Sequence, residues 1–379
     1  MRKILFVELL GGIGDVLIAL SAIHALARTH PAAELTVLTF PPGGELLKSD
    51  PLIKRVVYAE PGKAKQSVVE LLTRETFDLI VSDTNYDDID KVIQNSGALQ
   101  VVTNLWRQPP ADELVGDRFV QILQAEGLIN PDAIKPAQLH LTQDELNKAQ
   151  KLFNYVRRPL VFLCPDAGMA IKRWSNVNFI TLGQILQQRW GATVIVPVGS
   201  DAKQAESIAE GIGGEARILP RGTLRDLAAA LASADLVIAA DTGPARIAAA
   251  LNVLTITLFG PSWYGRYGQP SPHVNLQGYP ECPERNISNF TEQQCWYGGV
   301  CPLDKGWQSC MEGISVDEVL SVVEGFLNEP QRRRGRRGRE EDSHLAPIRR
   351  KPYKPKICAI KLHYFYWLFS LYKGLLVSY

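Results

Sequence analysis

Three short stretches of this 379-residue chain place polar groups where they could act on a substrate. The first is Gly11-Gly12-Ile13-Gly14-Asp15, between the apolar run Lys3–Leu9 and the periodic stretch Val16–Arg28. An acid in the first turn of a helix repels phosphate and suits another task, taking the proton of a substrate hydroxyl. The same acid can simply cap the helix, for ~0.5–2 kcal/mol. A dinucleotide fingerprint, G-x-G-x-x-G, needs glycine where Leu17 stands, which weighs against an NAD-type oxidoreductase. The second stretch is Pro165–Trp174, PDAGMAIKRW, directly after an apolar run. Its Lys172 and Arg173 follow a glycine loop, and a compact ammonium suits a phosphate; a solvent-facing pair is the alternative. The third is Asp241-Thr242-Gly243-Pro244, ahead of the alanine-rich run Ala245–Leu251. Proline fits the first helical position, so Gly243 is the expected N-cap and the free N–H groups beyond it form an anion site; a capped crossover without ligand is the alternative. Arg246 then lies in the first helical turn, where a cation opposes the helix dipole. A bound anion offsets that opposition, or the guanidinium reaches solvent or Asp241.

The elements that must carry these loops alternate in type. Strands are expected at Lys3–Leu9, Glu34–Phe40, Val56–Tyr58 and Leu79–Ser82, with helices at Val16–Arg28, Lys63–Arg74 and Arg118–Ala125. Asn85–Asp112 reads as less regular. After a composition shift and a polar helix at Gln143–Val156, the alternation restarts. The second series has strands at Leu160–Cys164, Ala192–Val198, Leu236–Ala240 and Thr255–Phe259, separated by helices at Asn178–Arg189, Asp201–Glu210 and Thr223–Ser233. This order predicts an α/β protein with mostly parallel sheets and ligands at the carboxyl ends of the strands. The expected division is 1–150, 151–328 and a tail, 329–379. Val274–Gly313 reads as an irregular, cysteine-bearing stretch, followed by an amphipathic helix over Val316–Leu327.

The net charge of +1 conceals an asymmetry. Residues 331–379 hold thirteen Lys and Arg against three Asp and Glu, a net of +10, leaving 28 against 37 in the rest, a net of −9. An acidic body weighs against nucleic-acid binding. The basic tail ends in an aromatic-rich segment and is a candidate for peripheral membrane contact. The start of the chain reads as a strand into a glycine turn rather than a secretory segment, so a cytoplasmic location is expected, on the inner face of the membrane where the tail touches it. Cys282, Cys295, Cys301 and Cys310 lack a C-x-x-C pair, a weak pattern for zinc. No metal or cofactor is expected.

Taken together, GGIGD, PDAGMAIKRW, the block GTLRDLAAALASADLVIAADTGPARIAAALNVLTITLFGP and the terminal CMEGISVDEVLSVVEGF resemble glycosyltransferase family 9, the heptosyltransferase-like enzymes, over roughly residues 1–328. The resemblance implies a GT-B fold, two Rossmann-like halves facing across a cleft. It implies inverting, metal-independent transfer of a sugar, often heptose, from a nucleotide donor such as ADP-heptose to a lipopolysaccharide-type glycolipid or oligosaccharide acceptor. By position, Asp15 matches the general base, next to Gly14. Lys172 matches the donor-phosphate lysine, beside Arg173, and Thr242 and Gly243, after Asp241, match the diphosphate-binding N–H groups. Asp201 is the nearest candidate for the donor ribose. Two positions depart from the family pattern: Arg246 stands where the family usually has histidine, and Ser21 where it usually has proline. The rival readings are a sugar-nucleotide-binding protein of the same fold without activity, and the dinucleotide oxidoreductase already disfavoured.

Overall fold

Alternating apolar runs and amphipathic stretches build two parallel sheets. The computed structural model describes residues 1–107, 112–287, 292–303 and 309–328, within a compact unit spanning Met1–Pro330. The tail beyond 328 lies outside the described residues. The N-terminal half runs β1 (Lys3–Val7), α1 (Ile13–Thr29), β2 (Glu34–Thr39), β3 (Arg55–Tyr58), α2 (Ala64–Arg74), β4 (Leu79–Ser82), α3 (Ile89–Gln94), β5 (Gln100–Val102) and α4 (Val115–Ala125). A connector carries α5 (Gln143–Phe153). The C-terminal half runs β6 (Leu160–Cys164), α6 (Asn176–Trp190), β7 (Thr193–Pro197), α7 (Ala202–Ile212), β8 (Ala216–Leu219), α8 (Leu224–Ala232), β9 (Leu236–Ala240), α9 (Gly243–Ala250), β10 (Thr255–Phe259) and α10 (Tyr264–Tyr267). It closes with β11 (Val274–Gln277), α11 (Gln294–Gly298), α12 (Ser309–Glu312) and α13 (Val316–Leu327).

The strand orders are β3-β2-β1-β4-β5 and β11-β10-β9-β6-β7-β8, every pairing parallel. In each sheet the direction of winding reverses once, between β1 and β4 and between β6 and β9. Helices leave a crevice at such a reversal, beyond the carboxyl ends of the strands. The central strands are buried, apart from Lys3 at the start of β1, which is why they read as apolar runs. One continuous core joins the halves, with Ile4, Phe6, Leu20 and Ile23 in the same cluster as Phe162, Val237 and Ile247. Among the described residues, no helix is long and apolar enough to cross a membrane.

The differences from expectation fall at the sheet edges. Asn85–Asp112 contains α3 and β5, the irregular cysteine-bearing stretch contains β11, and β8 follows α7. β5, β8 and β11 are each an outermost strand, three or four residues long and largely unburied. An edge strand with so little apolar surface leaves no hydrophobic run to read.

Candidate active site

The N-terminal crevice collects acids, and the C-terminal one gathers two cations around a carboxylate. At the reversal in the N-terminal sheet, the turn after β1 leads into α1 with Asp15 at its third position. Asp15 Oδ2 accepts the Gly12 N–H at 3.1 Å. The capping role and a role in the cleft are therefore compatible, since the second carboxylate oxygen is left over. The N–H of Leu10 is held by Glu8 Oε1 at 3.1 Å, so the protein's own acids already occupy donors that a pyrophosphate would need here.

At the reversal in the C-terminal sheet, the loop after β6 supplies Lys172 and the turn after β9 supplies Asp241. Lys172 Nζ donates to Asp241 Oδ2 at 3.0 Å and lies 4.4 Å from the Trp296 ring centroid. Arg246 Nη2 donates to Asp241 Oδ1 at 3.2 Å and to the Tyr267 carbonyl at 2.7 Å, and the Ser262 hydroxyl donates to Asp241 Oδ2 at 2.7 Å. Of the two fates open to Arg246, solvent or Asp241, the structure has the second, with Arg246 and Asp241 each 8 % exposed. Burial pushes the Asp241 carboxyl up, yet Lys172, Arg246 and the Ser262 hydroxyl together hold it below the ordinary range. Two cations thus converge on one carboxylate, a cluster with a net positive charge in a dry setting, where electrostatic attraction is strong.

The halves meet at glycines. A Cβ at Gly14 would lie 3.1 Å from Arg246 Cδ and Nε, and one at Gly243 would lie 3.1 Å from Ile13 Cγ2. A side chain at either position would press α1 and α9 apart by a few tenths of an ångström. Arg246 is thereby laid across the start of α1, next to Asp15. Burial raises the Asp15 carboxyl above its usual range, against the lowering pull of Arg246, the Gly12 N–H and Lys172. A half-buried carboxylate of raised proton affinity therefore faces two cations across the cleft.

Other positions are placed differently. Thr242, not Gly243, is the N-cap of α9, because Gly243 already has helical geometry and Pro244 takes the second position. Arg173 turns away from Lys172: its Nη2 pairs with Asp166 Oδ1 at 2.9 Å and its Nε donates to the Ala167 carbonyl at 3.1 Å, bracing the loop from inside. Asp201 is exposed and caps α7 by accepting the Lys203 N–H at 3.0 Å. Trp174 is buried, with its indole N–H on the Ile314 carbonyl at 2.9 Å. Cys282, Cys295, Cys301 and Cys310 converge on one cavity of about 20 Å³. Burial pushes the Cys310 thiol up to about 11, which keeps it protonated at neutral pH. His24 is fully buried on α1 and bonded to Asp50 at 2.7 Å.

Sequence reasoning missed Glu8, Asp83, Ser262, Tyr267 and Trp296. Glu8 had a signal, being the one acid in the apolar run ILFVELL. Tyr267 meets Arg246 through its backbone carbonyl, which no residue type announces.

Comparison with known proteins adds to this geometry. The model of the family described as glycosyltransferase family 9 (heptosyltransferase) matches residues 96–294. The chain is similar to lipopolysaccharide heptosyltransferase 1 of Pseudomonas aeruginosa, with 30% identity over 183 residues. That match takes in 45% of this chain and about half, 49%, of the relative's length. Among solved structures, a glycosyl transferase family 9 protein from Veillonella parvula superposes with a TM-score of 0.72 at 16% identity, over 86% of this chain and 97% of that one. The ADP-heptose lipopolysaccharide heptosyltransferase II of E. coli superposes with a TM-score of 0.65 at 17% identity, over 86% of this chain and 99% of that one.

Proposed function

The chain belongs to glycosyltransferase family 9 and has the GT-B fold, and from that premise we propose that it transfers a heptose from a nucleotide-diphosphate donor such as ADP-heptose to a hydroxyl of a lipopolysaccharide-type acceptor, with inversion at the anomeric carbon. The observation that carries the reading is the meeting of Asp15 with Lys172 and Arg246 across the cleft. Residues 1–150 form the acceptor side and 151–328 the donor side.

In this reading Asp15 takes the proton of the acceptor hydroxyl. The hydroxyl oxygen bonds to the anomeric carbon from the face opposite the diphosphate, and the anomeric C–O bond breaks with its electrons leaving on the diphosphate. Lys172 and Arg246 meet that growing charge, with the free N–H groups of Gly243 and its neighbours at the start of α9. Donors arranged in advance where charge develops contribute ~3 kcal/mol each to such a step. Asp241 holds both cations in place until a diphosphate shares them. With the leaving charge met by fixed cations and helix N–H groups, the transfer is read as metal-independent. A single carboxylate suffices, because a nucleoside diphosphate leaves without being protonated, whereas glycoside hydrolysis uses a pair flanking the bond.

Asp15→Asn tests the assignment. The amide keeps the size of the side chain but is no base, so titration calorimetry with ADP should give wild-type affinity while transfer from ADP-heptose to a heptose-deficient lipopolysaccharide falls by about two orders of magnitude or more. Wild-type turnover in that variant removes Asp15 as the base.

A further inference from the structure

Two buried carboxylates behind Asp15 take no part in the chemistry proposed above. Glu8 follows β1 and Asp83 follows β4, and the register that pairs Val7 with Ser82 sets these acids side by side at the reversal in the sheet. Each is 1% exposed. Glu8 is bonded on both oxygens, Oε2 accepting from the Thr39 hydroxyl at 2.6 Å and Oε1 from the Leu10 N–H at 3.1 Å. Asp83 is not: its Oδ1 accepts from the Thr84 hydroxyl at 3.0 Å, while its Oδ2 is buried without a partner. Adjacent buried acids with an orphaned oxygen are a poor way to hold a sheet together, since apolar residues of similar volume would do so at no loss. Their position accounts for them better. The turn that carries Asp15 is held at Leu10 by Glu8 and at Gly12 by Asp15 itself.

We infer that Glu8 is a positioning residue for the transfer: bonded to the Thr39 hydroxyl and the Leu10 N–H, it fixes the glycine turn that carries Asp15 and sets its carboxylate on Asp15's own side of the cleft, opposite Arg246 and Lys172. The inference rests on Asp15 being the base. The groups facing the pair are Thr39 from the end of β2, Thr84 and Tyr86 after β4, and Asp15 from α1. Those facing Asp15 from the other half are Arg246, Lys172 and Asp241. Burial is the main reason that Glu8 is pushed up to about 7 and Asp83 well above the carboxylate range, and the pair's neighbouring acids raise both further. Above about 7 Glu8 is therefore negatively charged on Asp15's side of the cleft. A negative neighbour raises the proton affinity of a base, and a base matched to the working pH takes a hydroxyl proton more readily. A diphosphate on Arg246 and Lys172 offsets their pull on Asp15, so the pair's influence is greatest when the donor is bound.

The test is the pH dependence of kcat for transfer from ADP-heptose to a heptose-deficient lipopolysaccharide, in the wild type and in Glu8→Gln. The amide keeps an oxygen for the Leu10 N–H and an NH2 for Thr39, and removes only the charge. The wild-type profile should rise further as pH passes about 7, where Glu8 ionises beside Asp15, and Glu8→Gln should lack that rise. Plateau kcat should fall about threefold to tenfold, with the donor KM within about twofold of wild type. Thr39→Val, nearly isosteric, removes one bond that favours the same carboxylate and should move the rise to higher pH; it decides the matter if Glu8→Gln does not fold. A profile that superimposes on the wild type in the folded variant overturns the inference, even if its melting temperature falls. Asp15→Asn is run beside them: a wild-type rate there overturns the base assignment, and with it this inference, whatever the Glu8 variants do.

Discussion

Arg246 shows how one side chain carries several duties in this site. Its guanidinium bonds to Asp241 and to the Tyr267 carbonyl, lies against Gly14, and lowers the proton affinity of Asp15 from across the cleft. The family resemblance puts a histidine here, which titrates near pH 6.5, whereas a guanidinium stays charged at every working pH. That difference predicts a pH signature. Initial rates in the wild type should give a donor KM that is flat between pH 6 and 8, because the cation facing the diphosphate does not change. In Arg246→His the donor KM should rise about threefold or more across the same range, as the imidazole loses its proton. A KM equally flat in both proteins would mean that position 246 does not meet the donor's charge. Histidine is also shorter, so it should release Asp15 from part of the lowering pull, and the acidic limb of kcat should move to higher pH.

At the scale of elements, the site depends on how α8 and α9 are fastened to the N-terminal half. Arg225 on α8 is 9% exposed and donates to the Leu46 carbonyl at 3.0 Å, to the His140 carbonyl at 3.0 Å and to Glu145 Oε2 at 2.6 Å. One side chain thus ties together the segment after β2, the connector and α5, while the Leu139 N–H donates to the Ala250 carbonyl at 2.8 Å and fixes the end of α9. The hydrogen bonds of Arg225 hold Glu145 down to about 2. Glu145 keeps access to water, but the Leu46 and His140 carbonyls lose a charged donor, so Arg225→Met should cost ~2 kcal/mol by chemical denaturation. The loss should reach the site as well, raising the donor KM through a misplaced α9; a stable variant with unchanged kinetics would confine Arg225 to scaffolding far from the cleft. None of this was legible in the sequence, because three of the partners are backbone carbonyls or distant in the chain. What was legible were the three loops that follow β1, β6 and β9. There, a buried parallel strand reads as an apolar run, and glycine or proline marks where it stops. Glu8 and Asp83 escaped as a pair for another reason: nothing in the sequence relates two acids 75 positions apart, and only the register of β1 with β4 shows that they are neighbours.

For the whole molecule, acids of opposite behaviour set the pH dependence of stability. A carboxyl whose folded pKa is lowered contributes stability that is present above its unfolded value and lost as pH falls through the folded one. Glu145 does so between about 4.5 and about 2, with Asp50 and Asp241 acting in the same direction. A carboxyl whose folded pKa is raised does the reverse: its unfolded form ionises first, so stability is fully present below about 4.5 and declines until pH passes the folded value, about 7 for Glu8. Asp83 and Asp15 add to the decline. The acid cluster of the cleft therefore destabilises the fold in the neutral range, where transfer must occur, while the clamp at Glu145 protects it against acid. For Glu8 alone the linkage amounts to roughly 2–4 kcal/mol between pH 4.5 and 8. Urea unfolding of the wild type and Glu8→Gln across that range isolates it, because every other titrating group is common to both. The variant should gain on the wild type steadily as pH rises through 7, and the gain should level off above 8. Parallel curves would mean that Glu8 titrates alike in the folded and unfolded chains, and that the negative charge behind Asp15 is held elsewhere.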